Sequence, residues 1–354
     1  MGMPSISISF TEIASTVIQR GERGIIAMIL KDANIPAVNP VVCMSNVDVP
    51  TSLSKDNQTQ LKLALMGYVN TPKKVIAYVL GSDATDYNDA LNYFKTVKFD
   101  YLVAPTVATD GLTADIVSYI KTERESNKLI KAILPNTAGD NEGIINYATE
   151  KVYVDDAEYT TEAYCSRIAG IIAGTPLTIS CTYAPLSELT DCTRLTKSEM
   201  DTAVDAGKLI VWWDGEKVKT ARGVNSLITL TQGKNTQFQK IKIIDTVDMI
   251  ANDIRMTAED SYLGKYANSY DNKCLLVSAI GNYFDQLVAD SILQSYSIGI
   301  DIDGNRSYLK GKGVDVDSMT DDEIKVANTG SYVYLTATLS ILDAIEDIVL
   351  PITI

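Results

Sequence analysis

The residues of this 354-residue chain that could do chemistry are carboxylates, lysines and tyrosines, because the sequence contains no histidine. The absence of histidine excludes Ser-His-Asp and Cys-His nucleophilic sites, histidine general bases and histidine metal ligands. Carboxylates alone can support catalysis, but chance pairs are unavoidable among 45 acidic residues and no paired-carboxylate site stands out. The sequence therefore predicts no catalytic residue, although an enzyme remains an alternative.

One short segment, Asp301-Ile302-Asp303-Gly304-Asn305, has the acidic spacing of a calcium-binding loop. Its glycine is at the fourth position instead of the sixth, and Lys312 stands where such a loop needs a glutamate. The segment is better interpreted as a β-turn, and we expect a hairpin between residues 297–302 and 306–310. We therefore predict no calcium site in this segment.

A second acidic group follows the same segment and could gather a divalent cation. A solvated loop that leads into a helix is the better interpretation, because carboxylates interact favourably with a helix N-terminus. We therefore predict no metal site among the members of this group, Asp315, Asp317, Asp321, Asp322 and Glu323.

Cofactor motifs are missing from the sequence. No G-x-x-x-x-G-K-[ST] occurs, and no G-x-G-x-x-G follows a strand, so no phosphate-binding loop and no cofactor are predicted. The five cysteines form no C-x-x-C pair, which indicates buried free thiols in a reducing compartment instead of a zinc site or a disulfide framework.

The charge of the chain limits its partners. A net charge of −14 argues against nucleic acid and against an anionic membrane surface as binding partners. The apolar stretches are too short to span a bilayer, so no membrane insertion is expected. The first residues do not show a cationic start followed by an apolar run, so no signal peptide is predicted.

The order of predicted elements divides the chain. Strands and helices alternate from residue 55 to residue 173, as in parallel βαβ units. After residue 179 the pattern changes to a capped helix at 196–207, a hairpin at 209–221 and two long amphipathic helices. We predict a mixed fold with an α/β domain at 21–180 and an α+β domain at 181–342. Residues 25–30 could pair into either domain.

Both ends of the chain alternate polar and apolar residues, which is typical of half-buried β-strands. Bare apolar strands aggregate, so these ends either close the chain's own sheets or pair with neighbouring copies. We predict strand arms at residues 1–20 and 343–354, with flexible links near residues 15–21 and 343–347. The candidate interface residues are Ile6, Ile8, Phe10, Ile348, Leu350, Ile352 and Ile354.

Several segments together resemble the tail sheath proteins of contractile phage tails and phage-tail-like bacteriocins of Gram-positive hosts. At the front these are residues 4–10 and the Arg20-Gly21-Glu22-Arg23-Gly24 turn. Further along they are residues 195–213, the Ala221-Arg222-Gly223-Val224-Asn225-Ser226-Leu227 segment, residues 238–255 with Asp245, and residues 333–354. The resemblance covers most of the chain and is strongest after residue 190.

The resemblance implies a structural subunit without enzymatic activity, with the α/β domain outside and the α+β domain with its arms inside. Sheath subunits stack as six-membered rings around an inner tube, and their arms add strands to sheets of adjacent subunits. Contraction of the sheath then drives the tube through a target cell envelope. The implied partners are other copies of the chain, the tube protein, and baseplate and tail-terminator proteins. One helix faces the tube, and residues 238–259 and 272–294 are the two candidates.

The resemblance further implies a location in a virion tail or a phage-tail-like particle that is assembled in the cytoplasm of the host bacterium. Two alternatives stay open. The first is a nucleotide- or flavin-dependent enzyme on the α/β domain. The second is another self-assembling lattice protein, such as a surface-layer component, which would normally need a secretion signal.

Overall fold

The computed structural model of the chain describes Ile18 and residues 20–353. These residues form two compact units. The larger unit contains Gly21–Met249 and residues 343–353, and the smaller unit contains Ile250–Leu342 with Ile18 and Arg20. Residues on either side of position 180 share the larger unit, and the four-part division made from the sequence stays a prediction.

A seven-stranded sheet is the centre of the larger unit. The strands of this unit are β1 (Ile25–Asp32), β2 (Val41–Cys43), β3 (Lys74–Gly81), β4 (Tyr101–Val103), β5 (Lys131–Pro135), β6 (Ile144–Tyr147), β7 (Lys151–Val154), β8 (Ala157–Thr160), β9 (Asp191–Cys192), β10 (Lys208–Leu209), β11 (Val211–Trp213) and β12 (Val218–Thr220). The central sheet has the order β10-β6-β5-β4-β1-β3-β2. Its pairs are parallel except for β2 with β3, which confirms the predicted βαβ units.

Helices cover both faces of this sheet, as parallel sheets require. The helices of this unit are α1 (Lys55–Leu65), α2 (Asn88–Phe94), α3 (Thr113–Glu125), α4 (Thr161–Ala173) and α5 (Lys197–Asp205), and α6 (Ile241–Ser261) begins in this unit. Helices α1 and α4 contribute to the core on one face, while α2 and α3 contribute to the core on the other. Short 3-10 turns lie at Asn46–Asp48 and Thr236–Gln239.

Strand β1 lies inside the sheet, where it pairs with β3 and β4. Residues 25–30 therefore join the α/β sheet, and the alternative that they pair with strands after residue 180 is wrong. Seven of the eight β1 residues are buried, as expected for a central strand with both faces covered.

The predicted local signals after residue 190 are confirmed in the larger unit. Thr196 and Glu199 form a capping box at the start of α5, and β11 pairs with β12 as a hairpin. Two smaller groups of strands, β8-β7-β9 and β11-β12, accompany the main sheet. Four of the five free cysteines are buried, and Cys274 is half-buried.

The smaller unit contains the end of α6, α7 (Tyr270–Ala289), β13 (Leu293–Ile300), α8 (Ile302–Gly311), α9 (Asp321–Val326) and β14 (Leu335–Ile341). The prediction of a hairpin at residues 297–310 is wrong, because residues 302–311 are helical. The Asp301 side chain accepts a hydrogen bond from the Gly304 amide and caps the helix. The partner of β13 is β14, which is about forty residues away in sequence.

Every helix among the described residues is too short or too polar to span a lipid bilayer.

Candidate assembly site

The C-terminal residues project apolar side chains into solvent. Between residues 342 and 353 the described chain forms no strand or helix. Ile348, Val349, Leu350 and Ile352 are between 73% and 92% exposed, which is unusual for four apolar side chains in one short segment. The other predicted interface residues, Ile6, Ile8, Phe10 and Ile354, lie outside the described residues.

The root of this segment is held on the larger unit by ion pairs. Lys240 forms ion pairs with Asp343 and with Glu346, whose Oε2 lies 2.9 Å from Nζ. Burial alone would lower the pKa of Lys240, but the hydrogen bonds that Lys240 donates to the two carboxylates outweigh burial and raise it. Lys240 is therefore charged in the folded subunit at neutral pH.

Glu346 is the most enclosed residue of this root, with a side chain only 4% exposed. Thr182 Oγ1 donates a hydrogen bond to Glu346 Oε1 at 2.5 Å, and Ser180 Oγ donates to the same oxygen at 3.3 Å. The Arg222 guanidinium lies 3.8 Å from Oε2. The buried carboxylate thus has charged and neutral partners, as a buried acid requires.

Arg222 also binds the last residue of the root. Its Nη2 atom donates to both carboxylate oxygens of Asp347, at 2.6 and 2.8 Å. This hydrogen bond raises the pKa of Arg222 and lowers the pKa of Asp347. We call these residues the arm anchor: Asp343, Glu346 and Asp347 with Lys240, Arg222, Ser180 and Thr182.

Backbone hydrogen bonds fix the positions of Arg222 and Lys240, the two cationic residues of the arm anchor. Arg222 follows β12, and the neighbouring Ala221 amide donates to the Ile210 carbonyl at 2.8 Å. Lys240 directly precedes α6, whose first amide, of Ile241, donates to the Gly223 carbonyl at 3.0 Å. Gly223 must lack a side chain, because a Cβ atom there would lie 2.8 Å from the Cys181 sulfur. The cations are therefore fixed by the body of the subunit.

The arm anchor differs from the flexible link predicted at residues 343–347. Three of these five residues form ion pairs to the larger unit. The sequence alone did not indicate the pairing, because Arg222 and Lys240 are more than one hundred residues from their partners. The only signal was the acidic character of the residues before the apolar segment.

The smaller unit contains a two-stranded sheet with an open edge on each side. Strands β13 and β14 form this sheet without a third strand among the described residues. Helix α7 covers the apolar face, where Phe284 contacts Tyr296 edge-on with ring centroids 5.1 Å apart. The other face is polar, and its exposed members include Ser295, Ser297, Thr336, Thr338 and Ser340.

The crevice where α/β folds bind nucleotides is occupied by the chain's own side chains. Such ligands bind beyond the carboxyl ends of the strands where the strand order reverses, here between β1 and β4. Lys31 Nζ lies 2.9 Å from Asp110 Oδ1 at this place. Tyr87 and Thr106 donate hydrogen bonds to the other oxygen of Asp110 at 2.5 and 2.7 Å. This arrangement argues against the nucleotide-dependent alternative.

Three of the five acidic residues considered as cation ligands have structural partners. Asp321 pairs with Arg306, Asp322 pairs with Lys325, and Glu323 completes a capping box with Thr320. Within the residues that the structure describes, no group of three or more acids and cysteines could hold a metal ion.

Comparison with known proteins places these features in a family. The model of the phage tail sheath protein central domain matches residues 81–226, and that of the phage tail sheath C-terminal domain matches residues 233–353. The tail sheath protein of Clostridium phage phiCD119 is 40% identical over 98% of both chains. The chain belongs to the phage tail sheath family. It is a structural subunit of a contractile tail, as the resemblance implied.

Solved structures show the same fold at low sequence identity. The sheath tail protein from Desulfitobacterium hafniense has a TM-score of 0.71 at 20% identity, over 84% of this chain and 94% of that chain. The helical sheath of the anti-feeding prophage in its contracted state has a TM-score of 0.73 at 15% identity, over 100% and 99% of the chains. These similarities confirm the predicted mixed α/β and α+β fold of the sheath protein.

Proposed function

We propose that the sheath protein polymerises as stacked six-membered rings around an inner tube by donating its terminal strands to neighbouring copies. The observation that carries the proposal is the row of exposed apolar side chains that follows the arm anchor. An extended segment that adds to a sheet edge gains main-chain hydrogen bonds and pockets for alternate side chains. Contraction of the polymer then drives the tube through a target cell envelope.

The pattern of side chains supports β13 and β14 of a neighbouring copy as the acceptor. Both strands of this sheet have a free edge in the described chain, and a two-stranded sheet alone is only marginally stable. The C-terminal arm alternates Ile348, Leu350 and Ile352 with other residues, so its apolar side chains can extend the face that α7 covers. Pro351 lacks an amide hydrogen and would face the outer edge.

The N-terminal residues have a matching alternation. Ile6, Ile8 and Phe10 alternate with serines, as the acceptor sheet alternates apolar residues with serine and threonine. We propose that one arm adds to each edge of the sheet. Each buried apolar side chain contributes about 1.5–3 kcal/mol, so either arm can hold two subunits together while other interfaces change.

Membership of the family supports a proposal about further partners and location. We propose contacts with the inner tube protein and with baseplate and tail-terminator proteins. A similar chain occurs in the structure of the anti-feeding prophage baseplate, with a TM-score of 0.67 at 16% identity. The candidates for the tube contact remain residues 238–259 and 272–294. We propose that the particle, a virion tail or a phage-tail-like particle, assembles in the bacterial cytoplasm and that its subunits have no enzymatic activity or cofactor.

Negative-stain microscopy of the purified protein at rising concentration tests the proposal. We expect long tubes for the full chain. A variant that lacks residues 348–354 keeps the arm anchor, so it is expected to be a folded monomer that forms no tubes. Normal tubes from this truncated variant would contradict strand donation by the C-terminal arm. Flat sheets or discrete particles from the full chain would favour another lattice protein or an enzyme, respectively.

A further inference from the structure

We infer that Arg222 and Lys240 are positioning residues that fix the point at which the C-terminal arm leaves its own subunit. The inference rests on the proposed strand donation and concerns residues 343–347, which precede the donated segment. It replaces the predicted flexible link with a fixed root and places the pivot of the arm after Asp347.

The burial pattern of the root shows how it is held. Glu346 is turned inward with a side chain 4% exposed, while the neighbouring Ile345 is 88% exposed. A segment held by the hydrophobic effect would have the opposite arrangement. Attraction between the carboxylates and the two fixed cations therefore attaches the root, and removal of a cation is expected to release it.

The fixed pivot limits where a neighbouring subunit can accept the arm. The donated part contains seven residues, 348–354. At about 3.3 Å per residue, it reaches roughly 23 Å from Asp347. A root that came free at Asp343 would add five more residues and allow many more positions of the arm. The arm anchor thus reduces the entropy that the arm loses when it pairs.

The ion pairs of the root differ in their exposure to salt. The Arg222 and Asp347 side chains are 36% and 75% exposed, so salt screens this pair strongly. Glu346 is enclosed and screened less. High salt is therefore expected to loosen Asp347 first and to release Glu346 only at higher salt, as the Debye length falls towards about 3 Å.

Cleavage by a glutamyl endopeptidase measures whether the root is attached. The enzyme must bind the Glu346 side chain in its own pocket, so the enclosed residue is protected. We expect Arg222→Gln and Lys240→Gln to release the peptide 347–354 at least tenfold faster than the unaltered chain, as mass spectrometry would show. The matched control is Lys151→Gln, which removes one positive charge from the exposed ion pair with Glu158 on strands β7 and β8 and is expected to change nothing. Arg222→Lys keeps the charge and should restore most of the protection.

Tube formation measures the consequence for assembly. We expect Arg222→Gln and Lys240→Gln to raise the critical concentration roughly tenfold, the equivalent of about 1.4 kcal/mol. If both variants match Lys151→Gln in cleavage and in tube formation, the inference is wrong even when deletion of residues 348–354 abolishes tubes. If that deletion leaves tubes intact, the proposed function itself fails.

If the Arg222 or Lys240 variants do not fold, the salt dependence of cleavage in the unaltered chain tests the inference. Its cleavage after Glu346 is expected to rise between about 0.1 M and about 1 M salt, as the Debye length falls from about 10 Å to about 3 Å. A rate that does not change with salt, after correction for the salt response of the peptidase on a free peptide, would count against an electrostatic attachment.

Discussion

The Lys131 ammonium lies 2.7 Å from the Asp248 carboxylate, and neither side chain is more than 5% exposed. The same ammonium is 3.2 Å from Asp245, and Arg124 donates to both oxygens of Asp248 at 2.9 and 3.1 Å. Burial opposes the charge on Lys131, but the attraction of the two carboxylates outweighs it and raises its pKa. These contacts attach the first part of α6 to strand β5 and helix α3.

Removal of the central carboxylate is expected to destabilise the larger unit. Asp248→Asn leaves Lys131 and Arg124 buried with too few anionic partners, and loss of one member of a buried ion pair costs about 3–5 kcal/mol. Urea unfolding followed by circular dichroism measures the free energy. Asp201→Asn, in an exposed pair with Lys197, is the control and should change it by about 0–1 kcal/mol. Equal effects of the two variants would show that the buried network does not stabilise the fold.

The Asp32 carboxylate at the end of β1 gives a prediction about pH. Burial would raise the pKa of Asp32, but hydrogen bonds from the Asn34 and Ser54 amides and from the Asn57 side chain outweigh it and lower the pKa to about 2. A carboxylate with a lowered folded-state pKa stabilises the fold above its unfolded pKa of about 3.9, and that stabilisation is lost as pH falls towards the folded value.

Asp32→Asn is therefore expected to unfold at lower urea concentration than the unaltered chain at pH 6. The gap between the two should narrow as the pH falls from about 4 towards 2, because protonation removes the advantage of the carboxylate. Asp156→Asn, in an exposed turn, is the control for loss of one carboxylate. A gap for Asp32→Asn that stays constant over this range would contradict the assignment.

Two helical glycines with different surroundings test the packing of α1 on α4. A Cβ atom on Gly170 in α4 would lie 2.3 Å from the Ala64 carbonyl oxygen of α1, whereas nothing lies within 4 Å of the same atom on Gly311 in α8. We expect Gly170→Ala to lose about 1–3 kcal/mol through overpacking. Gly311→Ala should leave stability unchanged or raise it by up to about 1 kcal/mol. Thermal unfolding of both variants measures the two changes in stability. A Gly170→Ala protein as stable as the unaltered chain would contradict the close packing of α1 on α4.

Local signals in the sequence predicted local structure well. The Thr196 and Glu199 pair predicted a helix start because its hydrogen bonds join residues three apart. The alternation of strands and helices predicted the parallel sheet because βαβ connections leave few other arrangements.

Long-range pairings were beyond the reach of sequence patterns. The Asp303-Gly304 turn signal predicts residues 306–310 as the return strand of a hairpin, whereas the strand that pairs with β13 is the distant β14. The arm anchor was missed for the same reason, since Arg222 and Asp347 are 125 positions apart in the sequence. Charge and spacing identify such residues as possible partners but do not say which of them meet.

Adjacent residues of the C-terminal arm provide the sharpest test of strand donation. In a strand, Leu350 and Val349 point to opposite faces, so only Leu350 would pack under α7 of the accepting subunit. Both side chains are exposed in the single subunit, at 73% and 92%. Substitution of either by serine should therefore leave the stability of the monomer unchanged.

The two variants are expected to differ only in their ability to form tubes. Leu350→Ser loses a buried apolar side chain at each arm, worth about 1.5–3 kcal/mol, and should raise the critical concentration for tubes by about tenfold or more. Val349→Ser should polymerise almost as the unaltered chain does, because its side chain faces solvent on the polar side of the sheet. Sedimentation of tubes against protein concentration measures both. An equal loss of tube formation in the two variants would contradict an arm that pairs as a β-strand. A larger loss for Val349→Ser would show that Val349, and not Leu350, packs under α7.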